Sequence, residues 1–70
     1  MPGSKGSRLD SLRSQRLSAG QSITGLAKAA NVSDNTIKIL EDGGNVEAHE
    51  AQRISDAMGV SLATLGEKKL

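Results

Sequence analysis

The sequence predicts an all-α fold, a compact bundle of about five short helices around one small aliphatic core. Apolar residues recur three and four apart along most of the chain, and no run alternates apolar with polar residues as a half-buried strand does. Glycine or asparagine closes each periodic stretch, at Gly20, Asn31, Gly43-Gly44 and Gly59. Seventy residues without cysteine or aromatic side chains bury only about 60% of their unfolded surface, which limits the core to a simple one.

Residues 1–7, MPGSKGS, have no periodicity and read as a flexible arm or a cloning remnant. The domain proper is expected over residues 8–66. Helix 1 runs from about Arg8 to Ser18, with Leu9, Leu12 and Arg16 on one stripe and Leu17 beside it. Helix 2 runs from about Ile23 to Ala30 with Ser22 as its N-cap, and Leu26, Ala27 and Ala30 form its apolar stripe. Gly25 inside it costs about 1 kcal/mol relative to alanine, so this helix depends on packing. Asn31 suits the left-handed backbone of a tight turn, and Val32 re-enters the core.

Ser33 caps helix 3, expected over about 34–41, whose buried face is Ile37 and Leu40. Helix 4 runs from about Glu47 to Met58, with Ala48, Ala51, Ile54 and Met58 at helical spacing. Val60 then plugs the core, and Ser61 caps a short fifth helix whose Leu62 and Leu65 point inward. Residues 67–70 form a tail without pattern, and no internal repeat is visible.

Two charges fall on apolar stripes. Arg16 shares a face with Leu9 and Leu12, and Glu41 follows Ile37 by four on helix 3. Burying either alone costs several kcal/mol, whereas together they neutralise each other, so a salt bridge from Arg16 to Glu41 is expected. The alternative is that both side chains reach water at helix ends.

The composition also excludes functions. Without aromatic residues the chain has no platform on which to stack single-stranded bases. Without cysteine and with one histidine, His49, it assembles neither a zinc site nor a nucleophile with its base, so no enzyme, metal or cofactor is expected. His49, Glu47 and Glu50 read as a solvated face. No segment approaches the roughly 18 apolar residues of a membrane span, and the start lacks a secretory signal, which points to the cytoplasm. The net charge of +1 hides an asymmetry. Residues 1–40 carry Lys5, Arg8, Arg13, Arg16, Lys28 and Lys38 against Asp10 and Asp34, a net +4, whereas residues 41–70 carry a net −3.

Two short helices joined by three or four residues, over Ser22 to Glu41, are the layout of a helix-turn-helix, which presents its second helix to the DNA major groove. The separated signatures Leu26-Ala27, Val32-Ser33, Thr36-Ile37, Leu40-Glu41-Asp42-Gly43 and Ala57-Met58-Gly59-Val60-Ser61-Leu62 resemble the Cro and lambdoid phage repressor type, the XRE-like family, from Leu9 to Leu65. The resemblance implies a lambda-repressor-like DNA-binding domain, and family members have an arginine in helix 1 bridging to a glutamate at the end of the recognition helix. Arg16 and Glu41 occupy those places.

By position, the resemblance makes Asp34, Asn35, Lys38 and Ile39 the base-reading residues, with Ser33 and Thr36 near phosphates. Asn35 can pair with adenine, Lys38 with guanine or a phosphate, and Ile39 with a thymine methyl. Asp34 either accepts from cytosine or stabilises its own helix N-terminus. Arg8, Arg13 and Lys28 supply phosphate attraction, and the start of helix 2 at Ser22 can face a phosphate. The chain departs from the family at Ile23, commonly a glutamine that reaches a phosphate, and at Gly44 and Asn45, where a basic residue is frequent.

The function expected is sequence-specific binding of double-stranded DNA by a transcriptional regulator, of repressor type, or by an antitoxin. A homodimer is expected through Val60, Leu62 and Leu65 and the loop after helix 3, although these residues can equally complete the core. The alternative is a protein-interaction module that keeps the fold without binding DNA, which Asp34, Ile23 and Ile39 favour.

Overall fold

A computed structural model describes residues 6–69. The elements run β1 (Gly6–Leu9), α1 (Leu12–Ser18), α2 (Ile23–Ala30), α3 (Asp34–Glu41), β2 (Val46–Glu47), α4 (Ala48–Met58) and β3 (Glu67–Lys69). The fold is a small α+β domain with a three-stranded antiparallel sheet, which corrects the expected all-α bundle of about five helices. Strand order is β2-β1-β3, with Ser7 opposite both Val46 and Lys69 and Leu9 opposite Glu67.

The difference arises before α1 and after α4. Helix 1 begins at Leu12, not near Arg8, because Asp10 and Ser11 turn the chain between Leu9 on β1 and Leu12 on α1. Leu9, Leu12 and Arg16 are all still buried, so a strand, a turn and a helix satisfy the same apolar stripe. Ser61 caps a turn through its hydroxyl, which accepts from the Thr64 amide at 3.1 Å, but Gly66 (φ +75°) ends it before a fifth helix forms. The next residues, expected as a patternless tail, pair with β1 as β3. Of the arm expected over residues 1–7, residues 1–5 lie outside the described residues, while Gly6 and Ser7 belong to β1.

The sheet is held by side chains as well as by its ladder. Ser7 is buried and donates to Glu67 Oε2 at 3.1 Å, joining β1 to β3. A side chain at Gly6 would collide with Asn45, so glycine lets β1 lie close against the segment leading into β2.

The core comprises Leu9, Leu12, Leu26, Ala27, Ala30, Ile37, Leu40, Val46, Ala51, Ile54 and Leu65. α2 is its hub, packing on both α3 and α4. Ala27 and Ala30 let those helices approach closely, where larger side chains would hold them apart. On α4 the buried face is Ala51, Ile54 and Ser55, whereas Ala48 is exposed. Ser55 offsets its burial by donating to the Val60 carbonyl at 2.9 Å. Leu65, expected at a dimer contact, is fully buried and belongs to the core, so it offers a second copy no surface.

The turn between α2 and α3 depends on one left-handed residue, Asn31 (φ 58°, ψ 46°). Its amide donates to the Lys28 carbonyl and that of Val32 to the Ala27 carbonyl, which closes α2 and returns the chain to the core. Replacing Asn31 by alanine is expected to cost about 1 kcal/mol, because a side chain with no local hydrogen bonding resists this conformation. Asn31→Gly should cost a few tenths of a kcal/mol at most. Urea midpoints measure both, and equal losses would contradict this account of the turn.

Candidate nucleic-acid interface

The candidate interface is built on α2, the three-residue turn Asn31-Val32-Ser33 and α3. Each helix is capped as its sequence requires. The Ser22 hydroxyl accepts from the Gly25 amide at 2.9 Å, and the Ser33 hydroxyl accepts from the Thr36 amide at 3.2 Å. α3 buries Thr36, Ile37 and Leu40 and leaves Asp34, Asn35, Lys38 and Ile39 exposed. Ile39 is 38% accessible, one of two large apolar side chains so placed among the described residues; the other is Leu17 on α1.

The far end of α3 is fixed by charge. Arg16 Nε donates to Glu41 Oε2 at 2.6 Å and Nη2 to Oε1 at 3.1 Å, a two-pronged salt bridge whose side chains are 9% and 11% accessible. Arg16 Nη1 also donates to the Gln21 carbonyl at 2.9 Å, so one guanidinium joins α1, the α1–α2 loop and α3. The hydrogen bond to Glu41 raises the Arg16 pKa above its ordinary value, against the lowering effect of burial. This contribution is complete below the unfolded arginine pKa and is lost only as pH rises through the higher folded value. Alkaline conditions in any ordinary buffer leave it intact.

Arg13 from α1, Ile23 from α2 and Lys38 from α3 line an open cavity of about 420 Å³ together with Arg16, Glu41 and Asp42. The Arg16 charge is taken up by Glu41, which leaves Arg13 and Lys38 to set the positive character of the cavity, with Asp42 opposing them. Among the described residues Arg13, Lys28 and Lys38 form no salt bridge. A second open cavity, of about 360 Å³, lies between α3 and the start of α4 and is lined by Thr36, Ile39, Glu47 and Glu50 among others. The positive and acidic cavities therefore flank the exposed row of α3.

The structure moves several expected contacts. Arg8 stands on β1, not α1, and its Nε donates to Asp10 at 2.9 Å, which offsets its charge. Thr36 is 7% accessible and its hydroxyl is engaged with Ser33 and Glu50, so it is not free to meet a phosphate. Ser22, Ser33, Arg13 and Lys28 remain exposed. Val60 and Leu62 are half-buried, and the loop after α3 turns at Gly43 (φ +91°). His49 lies 3.3 Å from Glu47 on the exposed start of α4. Several hydrogen bonds have no counterpart in the sequence pattern, among them Arg16 to the Gln21 carbonyl, and Thr24 Oγ1 to Asp34 Oδ2 at 2.8 Å. A polar residue in the first turn of each helix is the only sequence signal for the latter.

Comparison with protein-family models, curated proteins and solved structures returned no significant match.

Truncating one partner of a salt bridge this enclosed should cost about 3 kcal/mol, because the other charge is left buried and unpaired. In a double-mutant cycle, Arg16→Met with Glu41→Gln should show a coupling of at least about 1 kcal/mol. Additive losses in urea unfolding would mean that the two side chains contribute independently.

Proposed function

We propose that the protein is a sequence-specific double-stranded DNA-binding protein acting as a transcriptional regulator of repressor type, or as an antitoxin of the same fold. The observation that carries this reading is the exposed row Asp34, Asn35, Lys38 and Ile39 on α3. That helix is capped at one end, salt-bridged at the other and flanked by Arg13. A helix held in this way offers its outer side chains to the major groove in a fixed orientation, which base reading requires. The likeness to Cro and lambdoid repressors at the motif residues supports the same reading.

In this account Asn35 pairs with adenine, Lys38 donates to guanine or a phosphate, and Ile39 packs on a thymine methyl. Arg13 and Lys28 attract phosphates, and Ser22 can donate its hydroxyl to one. As a DNA-binding regulator the protein acts by binding and not by catalysis, in the cytoplasm, where bacterial or phage operators are accessible. Among the described residues no helix is long and apolar enough to cross a membrane. One domain of this size reads a half-site, so useful specificity calls for a homodimer, for which Val60, Leu62 and the loop after α3 are the candidate surface.

The second reading, a protein-interaction module, is favoured by the exposure of Ile39 and by Ile23 where a polar anchor would serve DNA better. Titration with duplex DNA at several salt concentrations separates the two. A DNA binder loses affinity linearly on a log-log plot, with a slope of about −0.9 for each phosphate neutralised. A protein-interaction module shows little binding at any salt. Within DNA binding, Asn35→Ala should relax preference at one base position at a cost of about 1–3 kcal/mol. Lys28→Ala should instead weaken all sequences alike and reduce the salt slope by about one. Unchanged base preference in Asn35→Ala would remove Asn35 from the reading residues.

A further inference from the structure

Asp34 is the one carboxylate in the exposed row of α3, and a negative charge facing DNA weakens binding to every sequence. Its surroundings indicate what it contributes in return. Oδ2 accepts from Thr24 Oγ1 at 2.8 Å across the gap between the first turns of α2 and α3. Among the described residues Oδ1 accepts no hydrogen bond, and the side chain is exposed. Thr24 therefore holds the carboxylate by one oxygen and leaves the other without a donor among the described residues, on the exposed first turn of α3.

Resting on the DNA-binding reading above, we infer that Asp34 is a specificity-determining residue that selects cytosine at one position and excludes guanine and thymine, with Thr24 as its positioning residue. An ionised carboxylate only accepts hydrogen bonds. In the major groove cytosine presents the N4 amino donor, whereas guanine presents the O6 and N7 acceptors and thymine the O4 acceptor. Opposite guanine or thymine, Oδ1 meets another acceptor after both have lost water, a penalty that no rearrangement within the Thr24 hydrogen bond removes. Adenine offers its N6 donor beside the N7 acceptor and suits a group that both donates and accepts, so cytosine is the better partner for a single outward oxygen. The charge lowers overall affinity and widens the gap between the right base and the wrong ones.

The test is selection of binding sites from randomised duplexes, followed by affinities for the selected site and its three single-base variants at the cytosine position. The wild-type protein should select cytosine at one position and bind the guanine variant about tenfold more weakly. Asp34→Asn is nearly isosteric but can donate as well as accept, so it should lose the cytosine preference, gain adenine and bind more tightly overall. Thr24→Val should reduce the discrimination while leaving salt dependence unchanged, and Thr24→Ser, which keeps the hydroxyl, should restore it. A uniform gain for all four bases in Asp34→Asn, with the preference intact, would overturn the inference and reduce Asp34 to an electrostatic penalty. Absence of duplex binding by wild type and variants alike would instead overturn the DNA-binding reading beneath it.

Discussion

The guanidinium of Arg16 is the constraint on which the arrangement of the motif depends. It is nearly enclosed, and all its interactions are with groups on other segments: two with Glu41 at the end of α3 and one with the Gln21 carbonyl ahead of α2. A buried charge tolerates little displacement of its partners, because each lost hydrogen bond leaves an ion in a poorly solvated place. The position of α3 relative to α1 is thus set at its C-terminal end by charge. At its N-terminal end it is set by the Asn31 turn and the Ser33 cap, and between them Ile37 and Leu40 anchor it to the core. The outer face of α3 is what remains after these constraints are met.

Small side chains complete the effect. With no aromatic residue available, the core is filled by leucine, isoleucine, valine and alanine, and α2 contributes Ala27 and Ala30 where it packs. Such packing has few large rotamers to rearrange, so the elements meet at short range and hold their angles. The sheet ties together segments distant in the sequence. β1 takes β2 on one edge and β3 on the other, bringing residues near both ends of the sequence together around Ser7.

The helical motif was legible in the sequence because its determinants are local. Ser22, Asn31 and Ser33 act within a few residues of themselves, and the Arg16 to Glu41 pairing followed from two charges on apolar stripes. The sheet was not legible, for a physical reason. Its strands have four, two and three residues, too few to show a period of two, and each exists only because a distant segment pairs with it. Leu9 misled most directly, since its spacing from Leu12 suits a helix while its backbone is in β1. The fifth helix failed similarly: Ser61 is a sound cap and Leu65 does point inward, but pairing of Glu67–Lys69 with β1 draws the chain away after one turn. At the candidate interface, exposure of Asn35 and Lys38 could be read from periodicity, whereas burial of Thr36 and the Thr24–Asp34 bond depend on how α2, α3 and α4 meet.

The flanks of α3 give the functional account its direction. Arg13 and Lys38 lie on one side and Glu47 and Glu50 on the other, so a polyanion approaching α3 meets opposite fields across the helix and is steered toward one orientation. The most direct measurement is an NMR titration of the 15N-labelled protein with a short duplex at low salt. The account predicts that the largest amide shifts map to Ser33–Lys38, the start of α2 and Arg13, with β3 and the exposed face of α4 unaffected. Shifts centred on α4 or β3, or none at all, would contradict it.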